Sequence, residues 1–159
     1  MRPLISLIGA GNVAWHLAQS LEQKNYLTAE VYSRDIENAR LLCQKLVTAQ
    51  ATDKLNFENS KAKLFILSIA DAAFEDVLEQ LKLPQDAILM HTSGSQPLGI
   101  LQKAASQIAV FYPLQTFSKA KKVDFTEIPF CLEANSEETL NSVNELAKSL
   151  SPKIYHLTF

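Results

Sequence analysis

Apolar residues in this chain come in short, nearly unbroken blocks, separated by stretches in which they return every three or four positions. The first block, Leu4-Ile5-Ser6-Leu7-Ile8, leads into a stretch where Val13, Leu17 and Leu21 share one side of a helix. Ala29 to Ser33 reads as a second strand, and Asp35 to Val47 as a helix with Ile36, Ala39, Leu42 or Cys43, and Leu46 inward. A weak third strand is expected near Ala49 to Thr52, and a clear fourth at Leu64-Phe65-Ile66-Leu67-Ser68-Ile69. The next helix carries Phe74, Val77, Leu78 and Leu81 and stops before Pro84, with Asp71 placed to cap it. Ala87 to Met90 and Ile108 to Tyr112 give a fifth and a sixth strand. Phe130-Cys131-Leu132 and Ile154 to Leu157 give two more, around a helix from Ser136 to Leu150 with Glu137 and Glu138 in its first turn.

Strands that are apolar almost throughout, rather than alternating, are covered on both faces. Strands alternating with helices then predict an α/β fold: a doubly wound, mainly parallel sheet with helices on both faces, in one domain over residues 1–159. Lys119 to Glu127 is expected to be a mobile loop. No internal repeat or low-complexity segment interrupts the pattern.

The link between the first strand and helix is Gly9-Ala10-Gly11-Asn12-Val13-Ala14, a G-x-G-x-x-A turn. Gly9 permits a tight bend, Gly11 lets a pyrophosphate approach bare backbone, and small Ala14 lets the helix press on the strand. The helix start adds unpaired N–H groups and a positive dipole end. A dinucleotide site is the expectation, built on Gly9, Ala10, Gly11, Asn12 and Val13.

Charge narrows the range of partners. The net charge is −2 and the basic residues are scattered, which argues against a nucleic-acid surface. Lys119, Lys121 and Lys122 form the one basic cluster, read as a solvated loop rather than a phosphate or membrane patch. No apolar run is long enough to span a bilayer, and the first strand starts too close to Met1 for a signal peptide. A cytoplasmic protein with a small-molecule substrate, without nucleic-acid or membrane partners, is the expectation. Cys43 and Cys131 are expected as small buried hydrophobes, and His16, His91 and His156 lack metal-ligand spacing.

In such sheets the residue ending the second strand meets the adenosine ribose. Here that position is Ser33, followed by Arg34. A hydroxyl with a guanidinium suits the 2′-phosphate of NADP, unless Arg34 merely pairs with Asp35 or Glu37. Ile69 and Ala70, ending the fourth strand, are expected as an apolar wall along the cofactor, with His91 and Thr92 contacting it beyond the fifth. His91 is the candidate general acid or base, with Ser93 and Gln115 orienting a substrate. The bland alternative is that His91 braces a Ser-Gly-Ser turn. Trp15, off the apolar stripe, is either a docking residue or an ordinary exposed aromatic.

These segments occur in one order: Gly9 to Leu17, Val31-Tyr32-Ser33-Arg34, Ser68-Ile69-Ala70-Asp71, His91-Thr92-Ser93-Gly94-Ser95 and Tyr112-Pro113-Leu114-Gln115-Thr116-Phe117. In this the chain resembles Rossmann-like proteins carrying a domain of unknown function numbered 2520. That group is similar to pyrroline-5-carboxylate reductases and 6-phosphogluconate dehydrogenases. The resemblance implies an NADP-binding oxidoreductase acting on an imine, carbonyl or hydroxy compound. It also implies a helical C-terminal domain, lacking from this chain, through which a homodimer forms. A non-catalytic NADP-binding sensor or interaction module is the alternative.

Overall fold

A computed structural model describes residues 2–157. Eight strands form one sheet in the order β3-β2-β1-β4-β5-β6-β7-β8. β1 (Ile5–Ile8), β2 (Thr28–Tyr32) and β3 (Gln50–Thr52) build outward on one side. β4 (Leu64–Leu67), β5 (Ile88–His91) and β6 (Gln107–Pro113) build outward on the other. All five pairings among these six strands are parallel. The antiparallel step falls at β7 (Phe130–Ala134) against β6, and β8 (Ile154–His156) runs parallel to β7. This is the expected doubly wound, mainly parallel sheet.

Period-two alternation divides each strand between two cores. Leu64 and Ile66 face one layer with Leu17 and Leu21 of α1 (Asn12–Gln23), Leu42 of α2 (Ile36–Cys43) and Leu146 of α4 (Glu137–Leu150). Phe65 and Leu67 face the other, with Phe74, Val77 and Leu78 of α3 (Phe74–Gln80) and Leu101 of the 3₁₀ segment Leu98–Lys103. Every residue of β1, β4 and β5 is buried, because both faces are covered.

Several boundaries differ from the sequence reading. α2 ends at Cys43 instead of Val47, its last turn tightening into i→i+3 bonds from Lys45 to Leu42 and Leu46 to Cys43. Leu46 still reaches the core, while Val47 is 72% exposed. Cys43 and Cys131 are half-buried, not buried, and partial burial raises both thiols above their ordinary pKa. The segment expected as a mobile loop is anchored by buried Phe125, which packs 5.8 Å from Phe117, and contains a 3₁₀ turn, Phe125–Glu127. Trp15 is half-buried, packs against the first core and carries Lys119 over its ring at 5.3 Å.

Candidate dinucleotide-binding site

Strand order reverses between β1 and β4, so the connections leaving their carboxyl ends diverge to opposite sides. A crevice of about 790 Å3 opens there, within the range of small-molecule sites. Its middle is the turn Gly9 to Val13, its first end Ser33 and Arg34, and its far end Ile69, Ala70, Thr92 and Ser93. Residues that the sequence reading scattered over four strand ends are thus brought to one cleft.

The turn explains its own composition. Gly9 has φ +121°, and a Cβ there would lie 2.0 Å from the Ser68 carbonyl oxygen at the end of β4. Only glycine lets β1 leave the sheet so close to its neighbour. Gly11 is different: its φ is an ordinary −81° and a Cβ would meet nothing within 4 Å. The space above it is open to a ligand. Buried Ala14 seats the helix against the sheet.

α1 starts at Gly11, which supplies no side-chain cap. α2 and α4 are capped by Asp35 and Ser136, whose side chains accept from Glu37 and Thr139 amides. The first intrahelical bond of α1 reaches back from Trp15 to Gly11, at 2.9 Å. The amides of Asn12, Val13 and Ala14 therefore lack an intrahelical acceptor at the crevice, beside the positive dipole end. Bare backbone, free donors and open volume fit a pyrophosphate.

At the first end, Asp35 spends its carboxylate on the α2 cap, and Glu37 pairs with Arg40. Exposed Arg34 makes no ion pair among the described residues. Both acidic neighbours that could have occupied it are engaged elsewhere. Leu55, Ala73 and Val77 add apolar wall to the crevice, and Gln80 a polar edge. The sequence reading missed these four. Val77 was legible only as a core residue, and nothing local marks the loop carrying Leu55 as a cleft wall.

At the far end the sequence reading needs three corrections. Asp71 does not cap α3: the helix is approached through a 3₁₀ turn, Asp71–Ala73, without a side-chain cap. Its carboxylate instead accepts from the hydroxyls of Ser93, at 2.9 Å, and Ser95. Those bonds, Ser95's first, hold its pKa below the ordinary carboxylate value, so Asp71 is an anion and not a proton donor near neutrality.

His91 is not in the crevice. It has 0% exposure, packs edge-on to Phe74, and accepts the Ser93 amide on Nδ1 at 3.1 Å. Its Nε2 faces the Pro97 carbonyl at 3.3 Å, which makes that nitrogen the protonated one. The imidazole thus ties both ends of the 92–97 loop, and burial lowers its pKa below the ordinary 6.5. Here it braces the Ser-Gly-Ser turn and does not line the crevice.

Gln115 is likewise apart: it is exposed, does not line the crevice, and its backbone N–H donates to the Pro113 carbonyl at 2.9 Å. Thr92 and Ser93 do line it, half-buried. Among the described residues there is no group of three or more His, Cys, Asp or Glu arranged to hold a metal ion. No helix among them is long and apolar enough to cross a membrane.

Comparison with known proteins agrees with this geometry. No curated protein matches the sequence. Among solved structures, a candidate NADP oxidoreductase of Bacteroides fragilis superposes with a TM-score of 0.91 at 41% identity, over 98% of this chain and 60% of that one. Prephenate dehydrogenase of A. aeolicus, solved with NAD+, gives 0.79 at 12% identity over 99% and 60% of the two chains. Pyrroline-5-carboxylate reductase of Coxiella burnetii gives 0.77 at 16% over 99% and 59%. The last two likenesses are of fold alone. The chain spans about 60% of the length of the structures it matches. A model of the Rossmann-like domain matches residues 1–116, and the chain belongs to that family.

Proposed function

We propose that this chain is the cofactor-binding part of an NADP(H)-dependent oxidoreductase acting on a small imine, carbonyl or hydroxy compound. The observation that carries the reading is Arg34, without an ion pair among the described residues, beside Ser33 at one end of a crevice whose middle is the uncapped start of α1. Gly9 to Val13 hold the pyrophosphate through backbone amides. Ser33 and Arg34 grip the 2′-phosphate, and Ile69, Ala70 and Thr92 flank the nicotinamide half. The nicotinamide supplies the hydride chemistry when bound. Ser93, fixed by Asp71, orients the substrate there. The B. fragilis relative, similar over nearly the whole of this chain, supports the choice of NADP. In the whole protein, assembly as a homodimer through a helical domain goes with this reading.

Titration with NADPH, followed by the fluorescence of its nicotinamide, tests the proposal. Saturable binding is expected, with NADH weaker by roughly ten- to hundredfold, the worth of a charge-assisted hydrogen bond. Arg34→Ala should erase that difference by weakening NADPH alone. Absence of any NADPH signal overturns the reading.

One observation favours the second reading, a non-catalytic NADP sensor. With His91 buried as a brace and Gln115 outside, no His, Cys or Lys lines the crevice among the described residues. NADPH binding without turnover, in a protein containing the remaining length of the relatives, would decide for the sensor.

A further inference from the structure

Behind the 92–97 loop lies a second cavity, of about 500 Å3. Ala109, Phe111 and Leu132 pack with α4 on one face of the sheet. Alternation along β6 and β7 therefore puts Val110, Tyr112 and Glu133 on the opposite face, where they line this cavity. Glu133 stands directly across from Val110 in the antiparallel register. Leu98 and Leu157 add apolar wall, and Ser93 borders both this cavity and the dinucleotide crevice. The Tyr112 ring packs against Gly94, where a Cβ would lie 2.6 Å from it.

Glu133 is the unusual wall. It is half-buried, and among the described residues its carboxylate has no ion pair. Burial, unopposed by any neighbouring charge or donor, raises its pKa. Among the described residues no Lys, Arg or His lines the cavity. A carboxylate drawn partly out of water beside apolar side chains carries a desolvation cost that a cation relieves. The aromatic ring of Tyr112, which also lines the cavity, adds attraction for the same charge.

We propose that this cavity binds the ammonium group of a small amine with an apolar body, paired with Glu133 and flanked by Tyr112. Because Ser93 borders both spaces, the amine's far end lies toward the dinucleotide crevice. Amine-bearing compounds are then the substrates of the oxidoreductase proposed above, a step that rests on that reading.

The test uses the 159-residue chain, benzylammonium as cation and benzyl alcohol as its neutral counterpart, followed by backbone amide NMR at neutral pH. Benzylammonium should shift the Gly94, Val110 and Glu133 amides and bind roughly tenfold tighter than the alcohol. Glu133→Gln should reduce it to the level of the alcohol. Gly99→Leu provides a second variant that leaves Glu133 in place: Gly99 lines the cavity and a Cβ there meets nothing within 4 Å, so the larger side chain should block both compounds. Equal binding of the two compounds, or shifts confined to other residues, overturns the proposal. So does an amine-insensitive set of cavity amides that moves with protein dilution, which would mark a second copy of the chain as the occupant. NADPH is titrated in parallel: amine binding without NADPH binding sinks the cofactor reading and keeps the site, and the reverse removes the site alone.

Discussion

Gly9 combines a left-handed φ of +121° with a Ser68 carbonyl 2.0 Å from where a Cβ would sit. Both penalties fall on any replacement, one from backbone strain and one from overpacking against backbone that cannot rotate away. Gly9→Ala should therefore destabilise by about 2–4 kcal/mol, read as a lower denaturant midpoint at unchanged slope. Gly11→Ala, facing open space at ordinary φ, should leave stability nearly unchanged and weaken NADPH instead. The contrast separates a glycine needed by the fold from one needed by the ligand. His91 gives a pH-dependent counterpart. Burial keeps its folded pKa below the unfolded 6.5, so the folded state binds fewer protons than the unfolded state between those two values. Stability consequently rises with pH through that window and is lost as pH falls below 6.5. His91→Ala should flatten this slope in denaturant melts across pH. At neutral pH it should also cost about 2–4 kcal/mol, since it leaves a cavity and removes a buried bond at each end of the loop.

The 92–97 loop is an element without regular structure, held by side chains from two directions. His91 fixes it from the end of β5, and Asp71, just beyond neighbouring β4, grips the Ser93 and Ser95 hydroxyls. Asp71→Asn preserves shape and removes the charge that makes these bonds strong. Amide hydrogen exchange at Ser93 and Ser95 should then accelerate, while exchange in β5 stays unchanged; equal rates in both proteins would show that the carboxylate does not hold the loop. The depressed Asp71 pKa gives the matching pH sign: the grip is present above the ordinary 3.8 and is lost as pH falls through the folded value. How far such elements were legible in sequence follows from the range of the forces that make them. β1, β4 and β5 could be read because burial on both faces writes a nearly unbroken apolar run into the chain itself. The glycine turn could be read because its constraints are local to a few residues. Asp71 could not, because its partners are 22 and 24 residues away, and from sequence alone a carboxylate ahead of a helix has the look of a cap. His91 failed for the same reason: a histidine ending a strand is compatible with either a reactive or a buried ring, and only the packing of Phe74 and Pro97 decides.

For the molecule as a whole, the crevice joins elements that are otherwise independent. β1, α1 and β2 belong to one half of the sheet, β4, α3 and β5 to the other, and Gly9 lies against the end of β4. A dinucleotide lying from Ser33 to Ser93 would contact both halves and nothing in the unfolded chain. Its binding free energy should then appear in full as folding stability. At free NADPH one-hundredfold above its dissociation constant the gain is about 2.7 kcal/mol. For a chain of this size that corresponds to a rise in melting temperature of roughly 5–11 °C. The rise should continue with the logarithm of NADPH concentration, without saturating as site occupancy does. Arg34→Ala should displace the whole curve to higher NADPH by its loss of affinity, with the ligand-free melting temperature unchanged because Arg34 is exposed and unpaired among the described residues. A melting temperature indifferent to NADPH would mean that the two halves are not bridged by this ligand. A ligand-free shift in Arg34→Ala would instead place the guanidinium in the fold and take away the argument that it stands ready for a phosphate.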